Sequence, residues 1–314
     1  MKEVITTFAL LLVAVVGAAG TRAQTKPSIF SIPARLENTS CSGNPTFKPT
    51  LNGMPVPVRA ELGPGSDQVI LIVFDITEDL SRIDEARQAL IADVSKLPPN
   101  TWVGVLRSQD GLHVLADPTP NHQKVIDVIQ SLTSSGTPGL LETVHATLTL
   151  ADAMIRKSPV RVSVLYITDG SIYSYRENYT DPVINPSDTH DLSRRFRDAL
   201  IGEKISKLKR RISSLEAPLF IVQLHYRQDG LDQAYQNGLE ALTKATGGDF
   251  AMCHSLAEVP EVISTMIDRI GTTWRLNLAV PPKIHSSLQV GLSASCGSRD
   301  TQLAWRSHIK LKGE

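Results

Sequence analysis

The chain has 314 residues, of which 41% are hydrophobic and 20% are charged, and its 32 Lys and Arg residues balance its 32 Asp and Glu residues. This composition is typical of a globular protein and excludes a disordered, collagen-like or coiled-coil chain. Because there is no excess of basic residues, nucleic acid is not expected as a partner.

The N-terminus has the pattern of a secretory signal peptide. The twelve residues from Phe8 to Ala19 are almost entirely apolar, and small residues follow at Thr21 and Ala23. A helix of this length is too short to cross about 30 Å of hydrocarbon, so we predict a signal peptide over 1–23 and a secreted or periplasmic protein. An uncleaved N-terminal anchor is the alternative. We expect no stable membrane span in the mature chain, because no later window holds 18 consecutive apolar residues.

After the signal peptide, the sequence pattern changes at about residue 67 from irregular to regularly periodic. Residues 24–66 are rich in Pro, Gly, Asn and Ser with short extended runs, which predicts an irregular β-rich lead-in. The next segment, Gln68–Phe74, is an uninterrupted apolar run, typical of a strand covered on both faces. Apolar residues then recur at helical spacing from Ile83 to Leu97, just before Pro98.

Strands and helices alternate through the rest of the central segment. We predict a hairpin built on Thr101–Arg107, helices near 125–132 and 140–155, a strand at Arg161–Ile167, a helix over about 190–215, a strand at Pro218–Leu224, a helix closed by Gly247, a strand at Asp249–Met252 and a last helix ending near Ile270. This alternation predicts a doubly wound α/β domain over 67–271, with a mostly parallel sheet and helices on both faces. Residues 272–314 alternate like strands and are expected to pack with 24–66 as a small β appendage.

The three cysteines are compatible with export, because an oxidising compartment permits disulfides. Cys41 and Cys296 lie in the two flanking segments, whereas Cys253 lies in an apolar, strand-like run. Among the three possible pairings we favour Cys41 with Cys296, which leaves Cys253 buried and free.

Oxygen-bearing side chains follow the predicted parallel strands. Asp75, Thr77 and Asp79 come directly after the first strand, Asp169 follows the strand at 161–167, and Thr137 lies in the loop before the third helix. The carboxyl ends of parallel strands meet at one edge, where open α/β sheets bind ligands. Converging carboxylates repel each other unless a cation separates them. Because the set contains no Cys or His, it predicts a site for Mg²⁺, with Ca²⁺ or Mn²⁺ as alternatives.

At these residues the sequence resembles the von Willebrand factor type A domain. The D-x-T-x-D of residues 75–79, the G-T-P of 136–138 and the T-D-G of 168–170 are similar to the metal-ion-dependent adhesion site (MIDAS) of that family, which has D-x-S-x-S, a Thr and an Asp. The segment Leu239–Phe250 is similar to the last units of such domains, especially in exported bacterial proteins. The resemblance covers 67–271 and implies a Rossmann-like fold.

The resemblance also implies how an ion would be held. Thr77 and Thr137 would bind it directly, Asp75 and Asp169 would bind it directly or through water, and one position would stay open for a carboxylate of a partner protein.

This sequence departs from the family pattern in three places. Asp79 stands where the family has Ser, which would add negative charge and weaken the attraction for an acidic ligand. Gly139 adds one residue to the Thr137 loop, and Glu142 replaces an Asp or Asn.

The function implied is that of an exported, non-enzymatic, adhesion-type module that binds an Asp or Glu of a partner protein through a cation. Tyr173 and Tyr175 would line the rim of that contact, on a polar loop that could equally be a variable insertion. A metal-free scaffold of the same fold with a degenerate site is the alternative. Other enzyme classes lack support, because the sequence contains no G-x-S-x-G, P-loop or G-x-G-x-x-G motif after the first strand. A metal-dependent hydrolase is a weaker alternative, because it would need a second ion or a general base close by and no obvious His lies there.

Overall fold

A computed structural model of the chain describes residues 28–37, 41, 43–77, 80–133, 136–172, 197–281, 287–297 and 299–311. The expected signal peptide (1–23), Asp79, Tyr173 and Tyr175 lie outside the described residues. Within the described ranges, no helix combines the length and the apolar character needed to cross a bilayer.

The elements follow one another as three groups. The chain starts with four strands, β1 (Ser28–Leu36), β2 (Thr46–Leu51), β3 (Met54–Pro55) and β4 (Val58–Leu62). The central group is β5 (Gln68–Asp75), α1 (Leu80–Val94), β6 (Thr101–Arg107), β7 (His113–Thr119), α2 (His122–Gln130), α3 (Leu140–Lys157), β8 (Arg161–Thr168), α4 (Arg197–Ile212), β9 (Leu219–Gln223), α5 (Gly230–Thr246), β10 (Phe250–Met252) and α6 (Val259–Gly271). The last group is β11 (Trp274–Val280), β12 (Ser287–Cys296), β13 (Arg299–Thr301), β14 (Leu303–Trp305) and β15 (His308–Lys310).

The central sheet is a doubly wound α/β sheet, as predicted. Its order is β10-β9-β8-β5-β6-β7, and every pairing is parallel except that of β7, which forms an antiparallel edge with β6. The apolar run in β5 serves both faces, because alternate side chains of a strand point in opposite directions. Ile70, Ile72 and Phe74 pack with α1, α2 and α6, whereas Leu71 and Val73 pack with α3, α4 and α5.

The two flanks fold together into the predicted β appendage. One sheet has the order β14-β1-β11-β4, and the second has the order β13-β12-β2-β3 with β15 also paired to β12. Their shared core includes Phe30, Leu51, Leu276 and Val290. Cys41 and Cys296 form a disulfide with a Cα–Cα distance of 5.6 Å, whereas Cys253 is buried and not in a disulfide.

Two arginines attach the appendage to the central domain. Arg306 is fully buried and donates to the carbonyls of Ser213 and Leu215, beyond the end of α4. Its guanidinium also lies 5.4 Å from the centroid of the Phe30 ring. Arg275 of β11 donates to the carbonyl of Val160 at 2.7 Å. The appendage is therefore held against the domain by several hydrogen bonds and is not connected to it by the chain alone.

Candidate metal centre

The candidate site lies at the carboxyl ends of β5, β6 and β8. Asp75 is the last residue of β5 and is fully buried. Because β5 pairs in parallel with β6 on one side and β8 on the other, the residues that follow all three strands surround this carboxylate.

Three groups donate hydrogen bonds to Asp75. Its Oδ1 accepts from the Ser108 hydroxyl at 2.6 Å and from the Gly139 amide at 2.8 Å, and its Oδ2 accepts from the Thr168 hydroxyl at 3.2 Å. Gly139 is the N-cap residue of α3, so the carboxylate also lies at the positive end of that helix.

The environment of Asp75 nevertheless favours a proton. The pKa of Asp75 is raised from 3.8 to about 6, mainly by burial and also by the nearby charge of Asp169. The hydrogen bonds from Ser108, Gly139 and Thr168 act in the opposite direction but do not cancel the effect of burial. A cation close to both carboxylates would reverse this preference, because it stabilises their charged forms.

Asp169 is fixed by backbone amides. Its Oδ2 accepts from the Thr77 amide at 2.8 Å and its Oδ1 accepts from the Ser171 amide at 3.0 Å, and its side chain is buried. Its own amide donates to the Asp75 carbonyl at 3.3 Å. Thr77 is thereby placed beside Asp169, and its Oγ1 is buried without a hydrogen-bond partner among the described residues. A buried hydroxyl in this position is uncommon and is consistent with a ligand that is not part of the chain.

The Thr137 loop approaches Asp75 through Gly139. A Cβ at Gly139 would lie 2.3 Å from the carbonyl oxygen of Ser108, so only glycine brings this amide close enough to Asp75. The residue that departs from the family pattern thus has a structural role. Thr137 itself is exposed, and its amide donates to Asp110 Oδ1 at 2.9 Å.

A second glycine shapes the Asp169 loop. Gly170 has φ +70°, a conformation that side chains disfavour, and a Cβ there would lie 2.6 Å from Gln223 Nε2. Like Thr77 Oγ1, the Oε1 atoms of Gln223 and Gln109 are buried and have no hydrogen-bond partner among the described residues. This edge of the sheet therefore has more oxygen acceptors than the described residues satisfy.

The structure brings three of the five predicted ligands together by hydrogen bonds and places a fourth nearby. Asp75, Thr77 and Asp169 form one connected group, and Thr137 lies two residues from Gly139. Asp79 lies outside the described residues. Within those residues, no group of three or more His, Cys, Asp or Glu side chains is placed to hold a metal.

Sequence reasoning missed two partners of Asp75. Ser108 directly follows β6, so the rule that singled out Asp75 and Asp169 would have found it if it had been applied to every strand. The Gly139 amide gave no signal, because a backbone donor is not visible in a side-chain pattern.

Three solved structures show what the chain is similar to. A von Willebrand factor type A protein from Catenulispora acidiphila is 10% identical, with 92% of this chain and 74% of that chain covered and a TM-score of 0.45. BatB, a conserved hypothetical protein from Bacteroides thetaiotaomicron, is 14% identical, with 65% and 98% covered and a TM-score of 0.39. The ArnB paralog VWA2 from Sulfolobus acidocaldarius is 11% identical, with 92% and 76% covered and a TM-score of 0.43. No family model and no curated protein matches the sequence.

The central domain has the doubly wound α/β architecture that the resemblance to the von Willebrand factor type A domain implies. The sheet order, the antiparallel edge strand and the helices on both faces carry this conclusion, together with the D-x-T and T-D-G segments at adjacent strand ends. At identities of 10 to 14% these likenesses say nothing about function, which has to be argued from the site of this chain.

Proposed function

We propose that this protein is an exported protein-binding module that holds a divalent cation at the carboxyl ends of β5 and β8 and uses it to bind an acidic group of a partner. The observation that carries the proposal is the buried, unpartnered hydroxyl of Thr77 beside the carboxylates of Asp75 and Asp169. These groups offer only oxygen atoms, which suits Mg²⁺ and, with less selectivity, Ca²⁺ or Mn²⁺.

In this proposal the residues have distinct roles. The hydroxyls of Thr77 and Thr137 bind the ion, and the carboxylates of Asp75 and Asp169 neutralise it, directly or through water. The hydrogen bonds from Ser108 and Gly139 fix the Asp75 carboxylate in one orientation before any ion arrives. When bound, the ion offers a position that a carboxylate of the partner can occupy.

Export is supported by two independent features. The apolar N-terminal segment has the length of a signal peptide. The disulfide between Cys41 and Cys296 belongs to an oxidising compartment rather than to the cytosol of most organisms.

A metal-free interaction scaffold is the second candidate, and one observation favours it. Both oxygens of Asp75 and both oxygens of Asp169 already accept hydrogen bonds from the chain, so these carboxylates are satisfied without a cation. A scaffold of this kind would use its loops or the β appendage for contact.

Isothermal titration calorimetry with MgCl₂ and MnCl₂ separates the two candidates. We compare wild type with Thr77→Val, which keeps the side-chain shape but removes the unpartnered hydroxyl, and with Thr46→Val, which changes an exposed threonine of the appendage. We expect saturable binding to wild type and Thr46→Val and binding at least about tenfold weaker to Thr77→Val. The free energy of unfolding in EDTA should be equal for the three proteins to about 0.5 kcal/mol, because the hydroxyl makes no bond within the described chain.

Absence of saturable heat for wild type, or equal metal affinity for Thr77→Val, would refute the metal site. A pull-down of binding partners with Mn²⁺ or with EDTA then tests the second half of the proposal. Capture that is unchanged by EDTA and by Asp75→Ala would support the metal-free scaffold.

A further inference from the structure

A second concave site lies at the junction of the appendage with the central domain. It is a cleft of about 840 Å³ between β1 and β14 on one side and the end of α5 with α6 on the other. Asp249, which lines it, directly precedes β10, so the cleft lies at the amino end of the sheet, opposite the candidate metal centre. Clefts of this size at the boundary between two packed units are common locations for small ligands.

Two guanidinium groups share one carboxylate in this cleft. Arg35 Nη2 lies 2.9 Å from Asp249 Oδ2, and Arg269 Nη1 contacts the same oxygen. The other oxygen of Asp249 accepts from the Phe250 amide. Within the described residues neither arginine side chain has another hydrogen-bond or ion-pair partner, so this group has a net charge of +1 and several guanidinium N–H donors left over. Paired guanidinium groups with free donors are well suited to a carboxylate.

The same cleft also contains negative charge and an apolar wall. The carboxylates of Glu37 and Asp268 line it and form no ion pair within the described residues. Leu36, Leu303 and Trp305 contribute apolar surface. A phosphate would gain from the arginines but would be repelled by the two free carboxylates. A ligand with one carboxylate, one ammonium group and an apolar body matches all three features.

We propose that this cleft binds a zwitterionic ligand of the amino acid or short-peptide class. Its carboxylate is bound by Arg35 and Arg269, its ammonium group faces Glu37 or Asp268, and its apolar side chain lies against Trp305. This site needs no metal and is independent of the site at the other end of the sheet.

The dipeptide Ala-Leu, its C-terminal amide, its N-acetyl form and inorganic phosphate serve as probes, each titrated into the full chain in the presence of EDTA. Binding is followed by calorimetry and by tryptophan fluorescence, because Trp305 lines the cleft. We expect saturable binding of Ala-Leu that weakens at least about tenfold on amidation and less on acetylation, with phosphate the weakest probe. No saturation with Ala-Leu, or phosphate as the tightest probe, would overturn the assignment.

Three variants locate the binding. Arg269→Gln should weaken Ala-Leu at least about tenfold, whereas Lys207→Gln removes the same charge from an exposed position on α4 and should leave affinity unchanged. Thr265→Trp adds bulk to the cleft from an exposed position of α6 and leaves Arg35, Asp249 and Arg269 in the sequence, so it should abolish binding even if Arg269→Gln fails to fold. Binding that is unchanged in a folded Thr265→Trp protein would show that the peptide binds elsewhere and would refute the proposal.

Discussion

Replacing Asp75 by Asn should remove a pH dependence of stability that the fold imposes on this residue. The pKa of Asp75 is 3.8 before folding and about 6 in the folded protein, mainly because of burial. A raised pKa of an acid means that the folded protein prefers the protonated form. The contribution of Asp75 to stability is therefore highest below pH 3.8 and is lost as the pH rises through about 6. The full difference is about 3 kcal/mol, of which about 2 kcal/mol is lost between pH 4 and pH 7.

The measurement is urea denaturation in EDTA at pH 4, 5, 6, 7 and 8 for wild type, Asp75→Asn and Asp84→Asn. Asp84 is an exposed carboxylate on α1, so its replacement controls for the loss of one charge. The difference in unfolding free energy between wild type and Asp75→Asn should change by about 2 kcal/mol from pH 4 to pH 7. The contributions of the other titrating groups are the same in both proteins and cancel in this difference. If the two profiles run parallel, Asp75 is not protonated on burial and the reasoning is wrong. Adding Mg²⁺ should flatten the wild-type profile if the proposed site is correct.

Three further predictions concern the appendage and the core. Arg306→Met should lower the free energy of unfolding by about 3 kcal/mol, because buried carbonyls lose their donor; a change below about 1 kcal/mol in urea denaturation would contradict this. The double change of Cys41 and Cys296 to Ser should lower it by about 3 kcal/mol, because their disulfide closes a long loop; an unchanged denaturation midpoint would count against it. The thiol of Cys253 is buried and its pKa is raised to about 11, so Ellman's reagent should label it only in guanidinium and not in native buffer at pH 8; rapid native labelling would show that the site opens.

The alternation of the central segment was sufficient to predict its fold. The β5 run is apolar at every position from Val69 to Phe74 because helices cover both faces of the sheet, and an apolar run of this length is typical of a central parallel strand. The ends of the helices were less predictable than their existence. The apolar stripe that starts at Ile83 includes Leu97, but α1 ends at Val94, and Leu97 lies in a turn whose amide donates to the carbonyl of Val94.

The appendage could be predicted only as a β-rich unit. Residues 304–311 alternate like a single strand, yet the structure divides them into β14 and β15 at Arg306 and Ser307. The reason is tertiary, because Arg306 turns inward to bond carbonyls beyond the end of α4. No local pattern indicates that a charged residue will be buried against a distant segment.

The candidate site was predictable in its side chains at the ends of β5 and β8. Asp75 and Asp169 were found because a carboxylate at the end of a buried parallel strand is costly to bury and lies where open α/β sheets bind ligands. The predicted ligand role of Asp79 stays a prediction. Two of the hydrogen bonds that fix Asp75 come from the Ser108 hydroxyl and the Gly139 amide, which lie on other loops. They could not be predicted as a pair, because only the packing of β6 and α3 in three dimensions brings these donors to Asp75.

The disulfide of the appendage has a mechanical consequence. It joins Cys41 near the start of the described chain to Cys296 near its end, which are 255 residues apart in sequence. A pulling force applied to β1 and β15 therefore passes through this covalent crosslink and bypasses everything between the two cysteines. The central sheet and the candidate metal centre would keep their shape under load, whereas the cleft would not be shielded, because β1 and β14, which line it, lie outside the crosslinked loop.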